Sequence, residues 1–169
     1  MFDLKFYLEA WDWEAKRTID VLESLAPTQY DFRPDPKGRS VGELAWHLAE
    51  TEAYMTYAIE QGKFDLNARP PGIERPRTIE ALAPGYRRIH GEAVARVKKL
   101  TDADLQRTME FFDGSEMPIG IILFGPIHKH VIHHRGQLMM MNRLAGGENP
   151  VVYGPTREQT EAMKAQARN

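Results

Sequence analysis

His128-Lys129-His130-Val131-Ile132-His133-His134-Arg135-Gly136-Gln137 places four of the chain's six histidines in one short run. Read as a helix advancing about 100° per residue, the run sets His134 roughly 40° from His130, with Gln137 close to the same direction. Ile127, His130, His134, Gln137 and Met141 then share one face, and the two imidazoles, one turn apart, can reach a single metal ion. His133 is turned roughly 60° from His130, and His128 points nearly opposite, so neither is placed as a third ligand from this helix.

The third ligand must come from elsewhere, and His47 is the candidate. It lies in Val41-Gly42-Glu43-Leu44-Ala45-Trp46-His47-Leu48, preceded by Ser40. Ser40 and Glu43 have capping-box spacing, which predicts a helix over about 41–61. On it Leu44, His47, Thr51, Tyr54, Met55 and Ala58 share one face, so His47 points toward the core. A buried imidazole costs free energy unless partnered. Three of them, from two helices, either find separate protein partners or solve the problem together on a metal, leaving a coordination position open.

The rest of the chain supplies the remaining helices. Leu4, Leu8, Trp11, Ala15, Ile19 and Leu22 recur at spacings of three and four, which predicts a first helix over about 4–25. Pro27, Pro34, Pro36 and Gly38 then break the periodicity. After a loop with Pro70, Pro71, Gly72 and Pro76, Thr78 can cap a helix carrying Ile79, Leu82, Tyr86, Ile89, Ala93, Val97 and Leu100; Pro84-Gly85 within it implies a late start or a kink. Residues 109–112 with Asp113-Gly114 suit a short hairpin. Gly125-Pro126 starts or kinks the histidine helix, which ends near Leu144, where Gly146-Gly147 can terminate it. Thr156 and Gln159 have the spacing of a second capping box. The expectation is an all-α fold: an antiparallel four-helix bundle with long connections, a short accessory hairpin and a short C-terminal helix, forming one domain over 1–169.

Composition narrows the function. At 169 residues and 42% hydrophobic the chain can build a core without staples. A net charge of −2 with no basic tract argues against nucleic acid as the partner, favouring a small-molecule substrate. The Met1–Lys5 start lacks a signal-peptide n-region, and no window approaches a membrane span, so a soluble cytoplasmic protein is expected. With no cysteine, imidazole and carboxylate are the available metal ligands, and any thiol chemistry must use an external thiol.

Other residues receive plainer readings. His90 is taken as a satisfied surface or boundary histidine, and Met139-Met140-Met141 as packing, with Met141 able to line a pocket. Trp11, Trp13, Trp46 and Tyr54 read as core and boundary. Arg135 points away from the metal face toward an interhelical or intersubunit ion pair. Gly136, costly in mid-helix, suggests close approach of another helix. Gln137 can hydrogen-bond a ligand imidazole or a metal-bound water.

The Gly42–Leu48 segment and the His130–Gln137 segment, HVIHHRGQ, resemble in content, order and separation those of the DinB family, also called YfiT-like metalloenzymes. With the helix pattern the resemblance spans nearly the whole chain. It implies that His47, His130 and His134 bind one divalent ion per chain, commonly zinc or nickel, in a bundle that often forms a homodimer. Characterised members of the family include thiol S-transferases and a thiol-dependent isomerase using low-molecular-weight thiols such as bacillithiol or mycothiol.

Three functions follow as expectations. The first is a metal-dependent transferase in which a bound external thiol attacks an electrophile. The second is a hydrolase using metal-activated water, with Glu43 or Glu50 as general acid or base. The third is a non-catalytic, stress-related metal-binding bundle.

Overall fold

Asp3 opens the first helix, its carboxylate accepting the Phe6 N–H at 2.7 Å. The computed structural model describes residues 3–167; Met1 and Phe2, part of the start read for a leader, lie outside them. Helix α1 (Leu4–Glu23) buries Tyr7, Trp11, Ala15, Thr18, Val21 and Leu22. The buried stripe is rotated from the expected one, since Leu4, Leu8 and Ile19 are only half-buried.

Helix α2 (Val41–Gln61) starts as its capping box requires: the Ser40 hydroxyl accepts the Glu43 N–H, and the Glu43 carboxylate accepts the Ser40 N–H at 2.8 Å. It stops at Gly62, whose φ of 71° suits a residue without Cβ. Helix α3 (Leu82–Val97) begins later than Thr78 and has no side-chain cap. Pro84 falls in its first turn, where a missing N–H costs no intrahelical bond. Gly85 is required by packing, because a Cβ there would stand 2.7 Å from the Trp46 ring.

Strands β1 (Thr108–Glu110) and β2 (Glu116–Pro118) form the expected hairpin, with Met109 opposite Met117. The chain then enters a rod that starts before the histidines: α4 (Ile119–Ile122), a π-helical turn over Leu123–Lys129, and α5 (His130–Leu144). The widened turn contains Pro126. Proline offers no N–H and crowds the preceding carbonyls, and a π turn relieves both without ending the helix. Gly125-Pro126 therefore marks a change of helical register inside the rod.

The α5 helix closes with the Gly146 N–H on the Arg143 carbonyl at 3.0 Å and the Gly147 N–H on the Asn142 carbonyl at 2.8 Å. Gly136 corrects an expectation: nothing lies within 4 Å of where its Cβ would be, so no close helix approach explains it. Helix α6 (Arg157–Gln166) forms its capping box and lies exposed. Arg143 holds it to α5 through two bonds to Glu158 of 2.7 and 2.8 Å.

The helices run two against two. Trp11 meets His90 while Leu4 meets Asp102, so α1 opposes α3. Trp46 packs on Gly85 while Lys99 reaches Glu60, so α2 and α3 are parallel, joined by the long connection 62–81. Tyr7 reaches the Leu123 carbonyl and Arg135 reaches Glu14, which makes α5 parallel to α1. One part of the core gathers around Trp46, Leu48, Leu82, Tyr86 and Leu138, the other around Tyr7, Trp11, Val97, Ile122 and Ile127. This is the expected all-α bundle. Among the described residues no helix is long and apolar enough to cross a membrane.

Candidate metal centre

Two helices deliver the three histidines that the sequence singles out. His47, in mid-α2, and His130 and His134, on the first turns of α5, bring one ring nitrogen each to within 4.8 Å of one another. The Nε2 atoms of His47 and His130 are 3.1 Å apart. Nitrogens held at about 2.0–2.1 Å from a tetrahedral zinc would lie roughly 3.3–3.4 Å from each other, so this spacing suits a shared ion. The rings stand edge to face, with centroids 4.4 Å apart for His130 and His134 and 4.9 Å for His47 and His134.

The groups behind the rings decide which nitrogens are presented. His134 Nδ1 lies 2.6 Å from Gln137 Oε1. A carbonyl oxygen only accepts, so Nδ1 carries the proton and Nε2 keeps its lone pair for the cluster. Of the two roles foreseen for Gln137, this is the hydrogen bond to an imidazole of the set. Glu50 places a carboxylate oxygen 3.6 Å from His47 Nδ1, biasing that ring in the same sense.

The cluster also resists protonation. His130 is pushed down to about 4, first by burial and then by the neighbouring rings of His134, His47 and His133 and by Arg39. His134 is also lowered, chiefly by burial, against the pull of its Gln137 hydrogen bond. Imidazoles that stay neutral near pH 7 have lone pairs free for a cation, so the residues present fit a divalent ion. His128 leans toward Tyr7 and Phe124, and exposed His133 packs against His134; neither joins the set.

A groove of about 500 Å³ opens beside His134. Its walls are the loop carrying Pro34 and Arg39, Leu44 of α2, and Gln137, Met140, Met141 and Leu144 of α5. Met141 lines it as foreseen. Arg39 was not singled out in the sequence, where it stands between the loop glycine Gly38 and the cap Ser40. A second cavity of about 460 Å³, around Tyr54, Ala58, Phe64 and Phe112, has none of the three histidines in its lining.

The carboxylates proposed as acid or base are both engaged. Glu43 belongs to its capping box and faces Arg33 at 2.9 Å and Arg75 at 3.7 Å. The Ser40 N–H and then Arg33 hold its carboxyl below the usual range. Glu50 is the one that faces a ring of the cluster, His47.

A second polar cluster lies inside the bundle. Fully buried Glu52 accepts from Trp11 Nε1 at 3.1 Å and from the Tyr86 hydroxyl at 2.6 Å, and its other oxygen meets His90 Nδ1 at 2.8 Å. His90 Nε2 meets Asp12 at 3.0 Å. His90 is thus satisfied, as expected, but as a buried residue and not a surface one. Burial opposes its protonation, yet the hydrogen bonds and charges of Glu52 and Asp12 outweigh that and raise its pKa. Nearby, Arg135 makes the interhelical alternative of its expected ion pair: 2.6 Å to the Glu14 carboxylate and 3.0 Å to the Glu14 carbonyl. The signal for Glu52 is its position, since it shares an otherwise apolar α2 stripe with Ala45, Leu48 and Ala49.

Comparison with known proteins agrees with this architecture. Over 159 residues the chain is 30% identical to the uncharacterized protein YrdA of Bacillus subtilis (strain 168), covering 92% of this chain and 91% of YrdA. The crystal structure of a DinB-like protein from Bacillus cereus ATCC 10987 superposes with a TM-score of 0.74 at 29% identity, over 89% of this chain and 98% of that one. A second DinB-like structure, YjoA of Bacillus subtilis, shares the fold with a TM-score of 0.70 at 21% identity, over 87% of this chain and 97% of its own. The sequence profile of the DinB superfamily matches residues 10–138, from α1 through His130 and His134 of α5, and the chain belongs to that superfamily.

Proposed function

We propose that this chain is a divalent-metal-dependent enzyme that joins an external low-molecular-weight thiol to a small electrophilic substrate. The observation that carries the reading is the all-imidazole donor set beside an apolar-walled groove. Among the described residues no carboxylate joins the three nitrogens, which leaves room for an outside ligand. A bound divalent ion supplies the acidity that brings a thiol with a free pKa of about 8.5 to its thiolate form near neutral pH. Zinc and nickel both suit imidazole donors.

The protein's own part is positioning. His47, His130 and His134 hold the ion, Gln137 keeps the His134 proton on Nδ1, and Glu50 does the same for His47. Leu44, Met140 and Met141 seat the electrophile and exclude water from one side of the reacting centre. Because the chain has no cysteine, no internal thiolate competes with the incoming one. The cytoplasmic setting expected from the sequence and the homodimeric state implied by the family resemblance belong to the same proposal.

A metal-activated hydrolase needs a carboxylate free to move a proton. Glu43 is occupied by Ser40, Arg33 and Arg75, and Glu50 is turned to His47, which favours thiol transfer over hydrolysis. The test is the visible spectrum of the cobalt-substituted protein on titration with 2-mercaptoethanol and with physiological thiols. A new sulfur-to-cobalt charge-transfer band is expected; a spectrum unmoved by every thiol tried would remove the thiol reading.

A further inference from the structure

We propose that the groove beside His134 selects a small molecule ending in a carboxylate, paired by Arg39, with a short aliphatic body lying on Leu44, Met140 and Leu144 and its other end at the histidines. The inference rests on reading this groove as the entrance to the metal centre. It goes further by assigning a substrate class and a specificity residue.

Arg39 immediately precedes Ser40, the cap of α2. The loop that carries it is pinned: Asp35 accepts the Lys37 N–H on its carboxylate and the Gly38 N–H on its carbonyl, both at 2.9 Å. Arg33 ties the same loop to the Gly38 carbonyl and to Glu43. Two nearby cations are thereby spent, since Arg33 and Arg75 share Glu43. Among the described residues Arg39 makes no salt bridge and no hydrogen bond, although it lines the groove.

Its position is electrostatically unfavourable for the fold alone. The start of α2 carries the positive end of the helix dipole, where an anion stabilises and a cation does not. Three neutral imidazoles would leave the full charge of a bound divalent ion uncompensated, adding to the same positive field. Asp35 is the only acidic residue in the lining, and one of its oxygens is engaged in its own turn. A free guanidinium beside a cationic centre recognises a carboxylate, with two parallel N–H donors for its two oxygens.

The remaining wall defines the body of the ligand. Leu44 and Met141 form a buried floor, while Met140 and Leu144 leave apolar side chains on the rim, 62% and 60% exposed. Methionine adapts to irregular apolar shapes, so this wall suits a flexible chain better than a rigid polar ring.

The test uses the full chain, zinc-loaded and metal-free, with ¹³C-labelled methionine methyls. The resonances of Met140 and Met141 are followed on titration with n-valerate, n-pentanol and n-pentylamine, which differ only in the terminal group. Valerate is expected to shift both resonances at about 5- to 10-fold lower concentration than pentanol, with pentylamine weakest. Arg39→Gln should abolish that preference in both forms while leaving the other methionine resonances in place, and Arg39→Lys should keep part of it. Equal response to valerate and pentanol, or a preference unchanged in Arg39→Gln, would overturn the inference; the second result would mean that valerate binds only through the ion. The thiol reading fails separately. A valerate preference lost in Arg39→Gln, with a cobalt spectrum indifferent to thiols, keeps Arg39 as the selector and removes thiol transfer.

Discussion

The bundle holds two groups of histidine-containing polar side chains, and they solve the burial problem in opposite ways. Around Glu52 every polar atom named has a protein partner: Trp11, Tyr86 and His90 converge on the carboxylate, and Asp12 takes the far nitrogen of His90. Around His47 the inner partners are other imidazoles, with Gln137 and the Glu50 carboxylate behind them and no carboxylate among the three converging nitrogens. The same side chain therefore shifts in opposite directions, His90 upward beside carboxylates and His130 down to about 4 among rings. A saturated cluster is one that the fold itself uses. The His47 cluster, whose three converging nitrogens could hold an ion, is not closed by the protein in this way, and its His134 borders a groove.

The strongest way to break this contrast is to cut the saturated side. Arg135→Met leaves the Glu14 carboxylate without its buried cation, and Glu52→Leu strands His90, Trp11 and Tyr86. Each is expected to cost about 3–5 kcal/mol in urea unfolding. A cost below about 1 kcal/mol would show that the network is not what the helices rest on.

Behind the open cluster the effect should fall on the metal and not on the fold. Gln137→Ala frees the His134 ring and is expected to weaken zinc affinity by about 10- to 100-fold, with unfolding midpoints of the metal-free chain unchanged. Unchanged affinity in a competition assay with a chromophoric chelator would take Gln137 out of the site.

The pH dependence sharpens the comparison with a defined sign. Because the folded pKa of His90 is raised above its unfolded value of about 6.5, its pairing with Glu52 and Asp12 contributes stability that is fully present below that value. That stability is lost as pH rises through the raised folded pKa. Metal-free chain should therefore lose stability through this window, and His90→Gln should flatten the loss. A His90→Gln variant with the same pH slope would assign the dependence to other groups.

The smallest expected effect completes the contrast. Alanine at His47, His130 and His134 together should change the stability of the metal-free chain by less than about 1 kcal/mol, since those rings are only half-buried. An unfolded triple variant would instead support a structural role for the cluster and the non-catalytic reading.

What the sequence reveals follows the range of the interactions involved. Ser40 with Glu43 and Thr156 with Gln159 act within a turn, and both capping boxes form where their spacing says. The four-residue step from His130 to His134 is equally local, and His47 stands out as an imidazole on an apolar face. Thr78 fails as a cap because Pro84 and the packing of Gly85 on Trp46 set the start of α3 from outside that segment. The π turn around Pro126 leaves no mark beyond the proline itself. His90 looks like a boundary residue until α1 and α2 bring it Asp12 and Glu52, from positions with no local relation to it. Arg39 is silent for the same reason: its lack of a partner is visible only once Glu43 is seen to be taken by Arg33 and Arg75.

The most direct measurement is the metal content of untagged protein purified without chelator, by elemental analysis, beside His130→Ala and His134→Ala. About one divalent ion per chain, absent from both variants, is the predicted result. A chain that carries no ion and takes up neither zinc nor nickel when offered would contradict the metal centre, leaving the three histidines as packing between α2 and α5.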